Sequence, residues 1–123
     1  MIKKLKNFFN KYLLFIYKIN IMEENNNQIL FEGEMFYPIK EDTFNYSNFV
    51  ISSSGKILNK KTLKLRKLND KGCIQIEWMK TFNVGRLVGL TFLSELNIDY
   101  SKKRIGHIDK NNTNNDISNL YWK

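Results

Sequence analysis

Residues 105–122 read IGHIDKNNTNNDISNLYW and decide how the rest of the chain is understood. They hold the chain's single histidine, His107, two places ahead of Asp109, and then a dense set of asparagines: Asn111, Asn112, Asn114, Asn115 and Asn119. An asparagine side chain both donates and accepts hydrogen bonds, so such a cluster can tie a tight loop to its own backbone. The expected unit is two-stranded. Residues 104–108 are extended, 109–118 form a polar loop, and Leu120, Tyr121 and Trp122 form the return strand. Imidazole exchanges a proton near neutral pH. A histidine on the first strand, beside a loop whose shape is fixed by Asn119, is therefore a candidate site for proton transfer.

The residues around this unit are basic. The chain carries 20 Lys and Arg against 12 Asp and Glu over 123 residues, a net charge of +8 that favours polyanionic partners. Its length suits one small domain with a modest core. The single cysteine, Cys73, excludes an internal disulfide, and with one histidine and no C-x-x-C spacing a structural zinc is not expected. Between positions 56 and 71 stand Lys56, Lys60, Lys61, Lys64, Arg66, Lys67 and Lys71, opposed only by Asp70. If these cations sit on hairpin edges, several can reach backbone phosphates together; the alternative is that lysines guard an exposed sheet edge. Thr62, Leu63, Leu65 and Leu68 alternate with them, which predicts a strand with one wet face. Lys102, Lys103 and Arg104 lead directly into the strand of His107, where they would either hold a phosphodiester or compensate Asp99 and Asp109.

The intervening segments read as strands and one helix. Apolar runs broken by Ser53, Ser54 and Gly55 and by Asn59 and Lys60 predict a meander from residue 34 onward. Alternation over residues 72–78 predicts a half-buried strand, with Trp78 in the core, and 82–84 a second short one. Residues 86–96, with Leu87, Leu90, Leu93 and Leu96 at helical spacing, predict a helix. Residues 1–21 mix lysines with aromatic and aliphatic side chains. Their longest apolar run, six residues at 12–17, is well short of the roughly 20 needed to span a membrane. They read as a core-docked or loosely ordered extension, one added by translation upstream of Met22, or alternatively a basic amphipathic helix for a membrane surface or partner. A polar EENNNQ tract at 23–28 closes the segment.

At residues 107–122 the chain resembles the HNH homing endonucleases, whose pattern runs H-I-D-G-N-x-x-N-N-x-x-x-N-L-x-W. His107, Asp109, Asn111, Asn114, Asn115, Asn119, Leu120 and Trp122 fall in register with it without a gap. Ser52, Gly55, Ile57 and Asn59, with Phe49 in the aromatic place, resemble the Y-x-V-S-x-x-G-x-V-x-N of the small module that precedes the HNH unit in many such proteins. The stretch NVGRLVGLTFL is similar to the family's V-H-R-L-V-A-x-x-F. The resemblance implies that His107 is the general base on a water, Asn119 the loop brace, and Asp109 a local support or auxiliary ligand for a divalent metal such as Mg²⁺. Asn111, Asn114, Asn115 and Trp122 would be structural loop residues. Lys56, Lys60, Lys61, Lys64, Arg66, Lys67, Arg86, Lys102, Lys103 and Arg104 would contact DNA.

The chain also departs from the pattern. Gly106 stands where the family carries an Asp or Asn metal ligand, Gly85 where it has histidine, and Lys110 at the turn glycine, which requires a positive φ or a reshaped loop. The family's closing helix would follow Trp122. The expectation is a small α+β protein: an N-terminal extension (1–28), an antiparallel β-rich DNA-binding module (29–80), and an HNH-like ββα-metal hairpin lacking most of its final helix (81–123). It would be intracellular, without stable membrane insertion, and able to form a homodimer. It would be either a metal-dependent DNA endonuclease or a non-catalytic DNA-binding relic of one.

Overall fold

The computed structural model describes residues 28–41, 43–77 and 80–123. The amphipathic reading of 1–21, nearly all of the polar tract and the core placement of Trp78 lie outside them. Five antiparallel strands form a meander in sequence order: β1 (Ile29–Phe31), β2 (Glu34–Pro38), β3 (Phe49–Ser52), β4 (Ile57–Asn59) and β5 (Lys64–Arg66). A second hairpin, β6 (Cys73–Glu77) with β7 (Lys80–Asn83), feeds the helix α1 (Val84–Phe92). The last hairpin pairs β8 (Ile105–His107) with β9 (Leu120–Trp122), and a 3-10 turn (Ile117–Asn119) lies just before β9. No helix among the described residues is long and apolar enough to cross a membrane.

Alternation along β3 and β4 divides the apolar residues between the two faces of the sheet. Val50 and Leu58 pack with Ile29 and Phe36. Their neighbours Ile51 and Ile57 join Phe44, Ile74, Val84, Leu87, Val88 and Leu120 in the larger core. That core draws on the meander, the β6–β7 hairpin, the helix and the last hairpin together. The site is therefore built on one packed assembly rather than on the hairpin alone.

Three elements differ from the sequence expectation. The alternating cation-leucine run gives only the three-residue β5, exposed at every position, with Leu63 53% and Leu65 43% exposed; it has no dry face. The chain enters β5 through a turn in which Asn59 Oδ1 accepts from the amides of Lys61 and Thr62 and Leu63 takes φ 56°, so Thr62 and Leu63 precede the strand. The second strand of the β6–β7 hairpin ends at Asn83, and Val84 begins the helix, because Asn83 caps it by accepting from the Arg86 amide at 2.9 Å. The helix also stops at Phe92 rather than Leu96. Ser94 Oγ donates to the Leu90 carbonyl at 2.6 Å, Trp122 Nε1 donates to the Leu93 carbonyl at 3.2 Å, and Asn97 takes φ 70°. Leu96, at helical spacing in sequence, is 92% exposed.

Candidate functional site

Pairing of Ile105 with Trp122, Gly106 with Tyr121 and His107 with Leu120 sets the register of the last hairpin, and its long loop is locked by asparagines. Asn119 Oδ1 accepts from the Asp109 amide at 3.1 Å, while its Nδ2 donates to Asp109 Oδ1 and to the Asn114 carbonyl, both at 2.8 Å. Asn114 Nδ2 donates to the other Asp109 oxygen at 2.7 Å, and the Asn111 amide donates to Oδ1 at 2.8 Å. Asn111 Oδ1 in turn accepts from the Thr113 amide. Lys110 takes φ 61°, so the lysine at the turn tolerates the left-handed backbone that the pattern assigns to glycine.

These donors hold the Asp109 carboxyl below the usual carboxylate range, the Asn114 amide first, then the Asn111 amide and Asn119. Asp116, which accepts from Ser118 at the start of the 3-10 turn, is lowered in the same way. A folded pKa below the unfolded value gives stability that is present above the ordinary carboxylate range and is lost as pH falls through the depressed folded value. Thermal melts should therefore weaken below about pH 4, and Asp109→Asn should flatten that loss. An unchanged acid limb in the variant would mean that the loop does not depend on the carboxylate.

His107 is half-buried, and its Nε2 lies 2.7 Å from Asn115 Oδ1. Asn115 is 2% exposed, and three glycines crowd it and its loop. A Cβ on Gly55 would stand 2.7 Å from Asn115 Cβ, one on Gly85 2.8 Å from Asn115 Oδ1, and one on Gly72 2.0 Å from the Asn112 carbonyl oxygen. Each glycine comes from a different part of the chain: the β3–β4 turn, the turn before β6, and the start of the helix. The Ile117 amide donates to the Ser53 carbonyl at 2.8 Å, a further tie between the loop and the β3–β4 turn. Sequence reading missed this convergence. The separate signals were present, as glycines at 55 and 85 in pattern positions, but nothing along the chain brings them together.

Trp122 closes the other side of the unit. It lies against Gly89 of the helix, packs on Tyr100 with the rings tilted by 40° and their centroids 4.7 Å apart, and sits beneath the Arg86 guanidinium at 5.6 Å. That guanidinium donates to the carbonyls of Lys103 and Tyr100 at 2.7 and 2.9 Å. In this arrangement Arg86 ties the helix to the segment entering β8. Arg66 is similarly engaged, donating to the Gln75 carbonyl and lying over Phe49. Lys56 pairs with Glu34 at 2.6 Å, and this ion pair, with the Ser54 hydroxyl, holds the Glu34 carboxyl below its ordinary range. Lys60 is half-buried beside the turn after β4. Lys61, Lys64, Lys67, Lys102, Lys103 and Arg104 are exposed, and among the described residues none of them forms an ion pair.

The donors needed for the expected divalent metal do not come together. Position 106 has no side chain, and the ring of Tyr121 lies where one would begin, 2.4 Å from an ideal Cβ. His107 Nε2 is turned to Asn115, and both Asp109 oxygens accept from loop amides. Among the described residues no three His, Cys, Asp or Glu side chains cluster as ligands. A hard cation prefers several oxygen donors, often carboxylates. The Mg²⁺ expectation thus finds no matching donor set among the described residues.

No protein-family model matches the chain. An uncharacterized HNH endonuclease of Acanthamoeba polyphaga mimivirus is 40% identical over 86 residues, covering 63% of this chain and 24% of that protein. The solved structure of the HNH homing endonuclease I-HmuI, described for its DNA binding and cleavage, matches with a TM-score of 0.53 and 26% identity. That match covers 68% of this chain and 51% of the other. The chain thus spans about a quarter of the viral relative and about half of the solved one. Likeness in sequence to one and in fold to the other supports a family relationship of the chain to the HNH endonucleases.

Proposed function

We propose that the chain binds DNA by its phosphodiester backbone and that the last hairpin presents His107 to the bound strand. The observation that carries this reading is the state of the cations. Lys102, Lys103 and Arg104 run straight into β8, exposed, without the ion pairs to Asp99 or Asp109 that a compensating role requires. Asp99 accepts instead from the Ser101 amide, and Asp109 is occupied by its loop. Hydrolysis of a phosphodiester is the reaction this placement suits, with His107 taking the proton of the attacking water. Gly106 beneath Tyr121 favours a second reading, in which the chain binds DNA without cutting it.

Both readings predict strong salt dependence. If Lys61, Lys64, Lys67, Lys102, Lys103 and Arg104 all reach phosphates, log K should fall against log salt with a slope of about −5, and each cation replaced by alanine should reduce that slope by about 1. A flat dependence would remove DNA as the partner. Supercoiled plasmid separates the two readings. Nicking or linearisation with Mg²⁺ or Mn²⁺ that disappears in His107→Ala and in EDTA would make the chain an enzyme, whereas salt-sensitive binding without scission would make it a binding module.

A further inference from the structure

We propose that Asn115 is a positioning residue for His107: its amide oxygen accepts from Nε2–H and so fixes the imidazole in the tautomer whose lone pair lies on Nδ1. The inference rests on the reading of His107 as the proton acceptor and adds which ring nitrogen is basic and what makes it so. A neutral imidazole has one donor and one acceptor nitrogen, and an amide oxygen can only accept. At 2.7 Å the Nε2···Oδ1 contact is a short, well-formed hydrogen bond. The nitrogen facing Asn115 must then carry the proton, and Nδ1 is left to receive another.

The amide is held by its surroundings rather than by its own loop. Asn115 is 2% exposed, with Gly55 against its Cβ and carbonyl and Gly85 against its Oδ1. Any side chain at 85 would start 2.8 Å from that oxygen and 3.1 Å from His107 Nε2, so the absence of one at Gly85 makes room for the pair. Asn115 Nδ2 is buried and has no hydrogen-bond partner among the described residues. An unpaired buried donor is unfavourable. An apolar residue of similar size would avoid that penalty but could not accept from His107. The asparagines at 111, 114 and 119 serve the loop itself, whereas the Asn115 side chain reaches out of the loop to the first strand.

His107 is the only histidine, so long-range ¹H–¹⁵N correlation on the ¹⁵N-labelled full chain reads its tautomer without assignment ambiguity. At a pH where the ring is neutral, the Nε2–H form should dominate. In Asn115→Ala the ratio of tautomers should fall about fivefold, the equivalent of one hydrogen bond. Asn115→Asp, which keeps an accepting oxygen, should retain the Nε2–H form. A dominant Nδ1–H form in the wild type would overturn the proposal and needs no variant. So would an unchanged ratio in Asn115→Ala with the Asn119 side-chain amide resonances intact, or loss of the Nε2–H form in a folded Asn115→Asp. If DNA binding fails while the tautomer behaves as described, the proposed function falls and the positioning role stands.

Discussion

Asn119→Ala is expected to lower the unfolding free energy by about 2–4 kcal/mol. Three side-chain hydrogen bonds disappear, each contributing about 1 kcal/mol net, and the Asp109 amide and Asn114 carbonyl lose partners in a partly buried setting. Asn119 is only 8% exposed, so water replaces those partners poorly. Urea unfolding should show a lower midpoint with an unchanged slope. Asn111→Ala is the matched control. Its Oδ1 also accepts within the loop, from the Thr113 amide and hydroxyl, but the residue is exposed and water can take over, so its loss should stay below about 1 kcal/mol. Equal effects at the two positions would mean that the loop is held by turn propensity and not by the Asn119 brace. Asn119→Asp tests the same point differently. It keeps the oxygen for the Asp109 amide but sets a second carboxylate 2.8 Å from Asp109, so it should be no better tolerated than alanine.

The local parts of this arrangement were legible because local chemistry determines them. Asn119 sits between residues that its amide can reach within the same loop, and Leu120 to Trp122 alternate as a strand should. The same holds for β6, where Ile74 and Ile76 face inward between Cys73, Gln75 and Glu77. What periodicity could not supply was the end of a pattern. Leu96 continues the leucine spacing past the point where Ser94 and Trp122 have taken the helix's last carbonyls, and Leu65 alternates with cations on a strand exposed at every position. The pairing of Asn115 with His107 was illegible for another reason. It depends on space left by glycines far apart in sequence, and an absent side chain carries no pattern until the chain is folded. Gly85 read along the chain is a missing histidine; in the fold it is the room that the amide of Asn115 fills.

Gly72→Ala tests that convergence and should be among the most damaging single-methyl additions in the described chain, lowering stability by about 2–5 kcal/mol. Two terms contribute. The residue takes φ 76°, and left-handed backbone costs an L-residue about 1–2 kcal/mol. The added Cβ would also stand 2.0 Å from the Asn112 carbonyl oxygen, a backbone atom that cannot rotate away, and overpacking of this kind costs about 1–3 kcal/mol. Relief by moving Gly72 is restricted, because its amide donates to the Asn69 carbonyl and its carbonyl accepts from the Val84 amide where the helix begins. Gly33→Ala isolates the first term. Gly33 takes φ 80° in the β1–β2 turn with nothing within 4 Å of an ideal Cβ, so only the backbone penalty of about 1–2 kcal/mol should appear. The difference between the variants measures how tightly the 111–115 loop is pressed onto the body of the protein. If Gly72→Ala is no worse than Gly33→Ala, the loop gives way freely, and the packing that holds Asn115 against His107 is too soft to fix the ring. If it is worse by the full overpacking term, the loop is clamped, and the histidine's geometry is set by the distant turns that press on its loop as much as by its own strand.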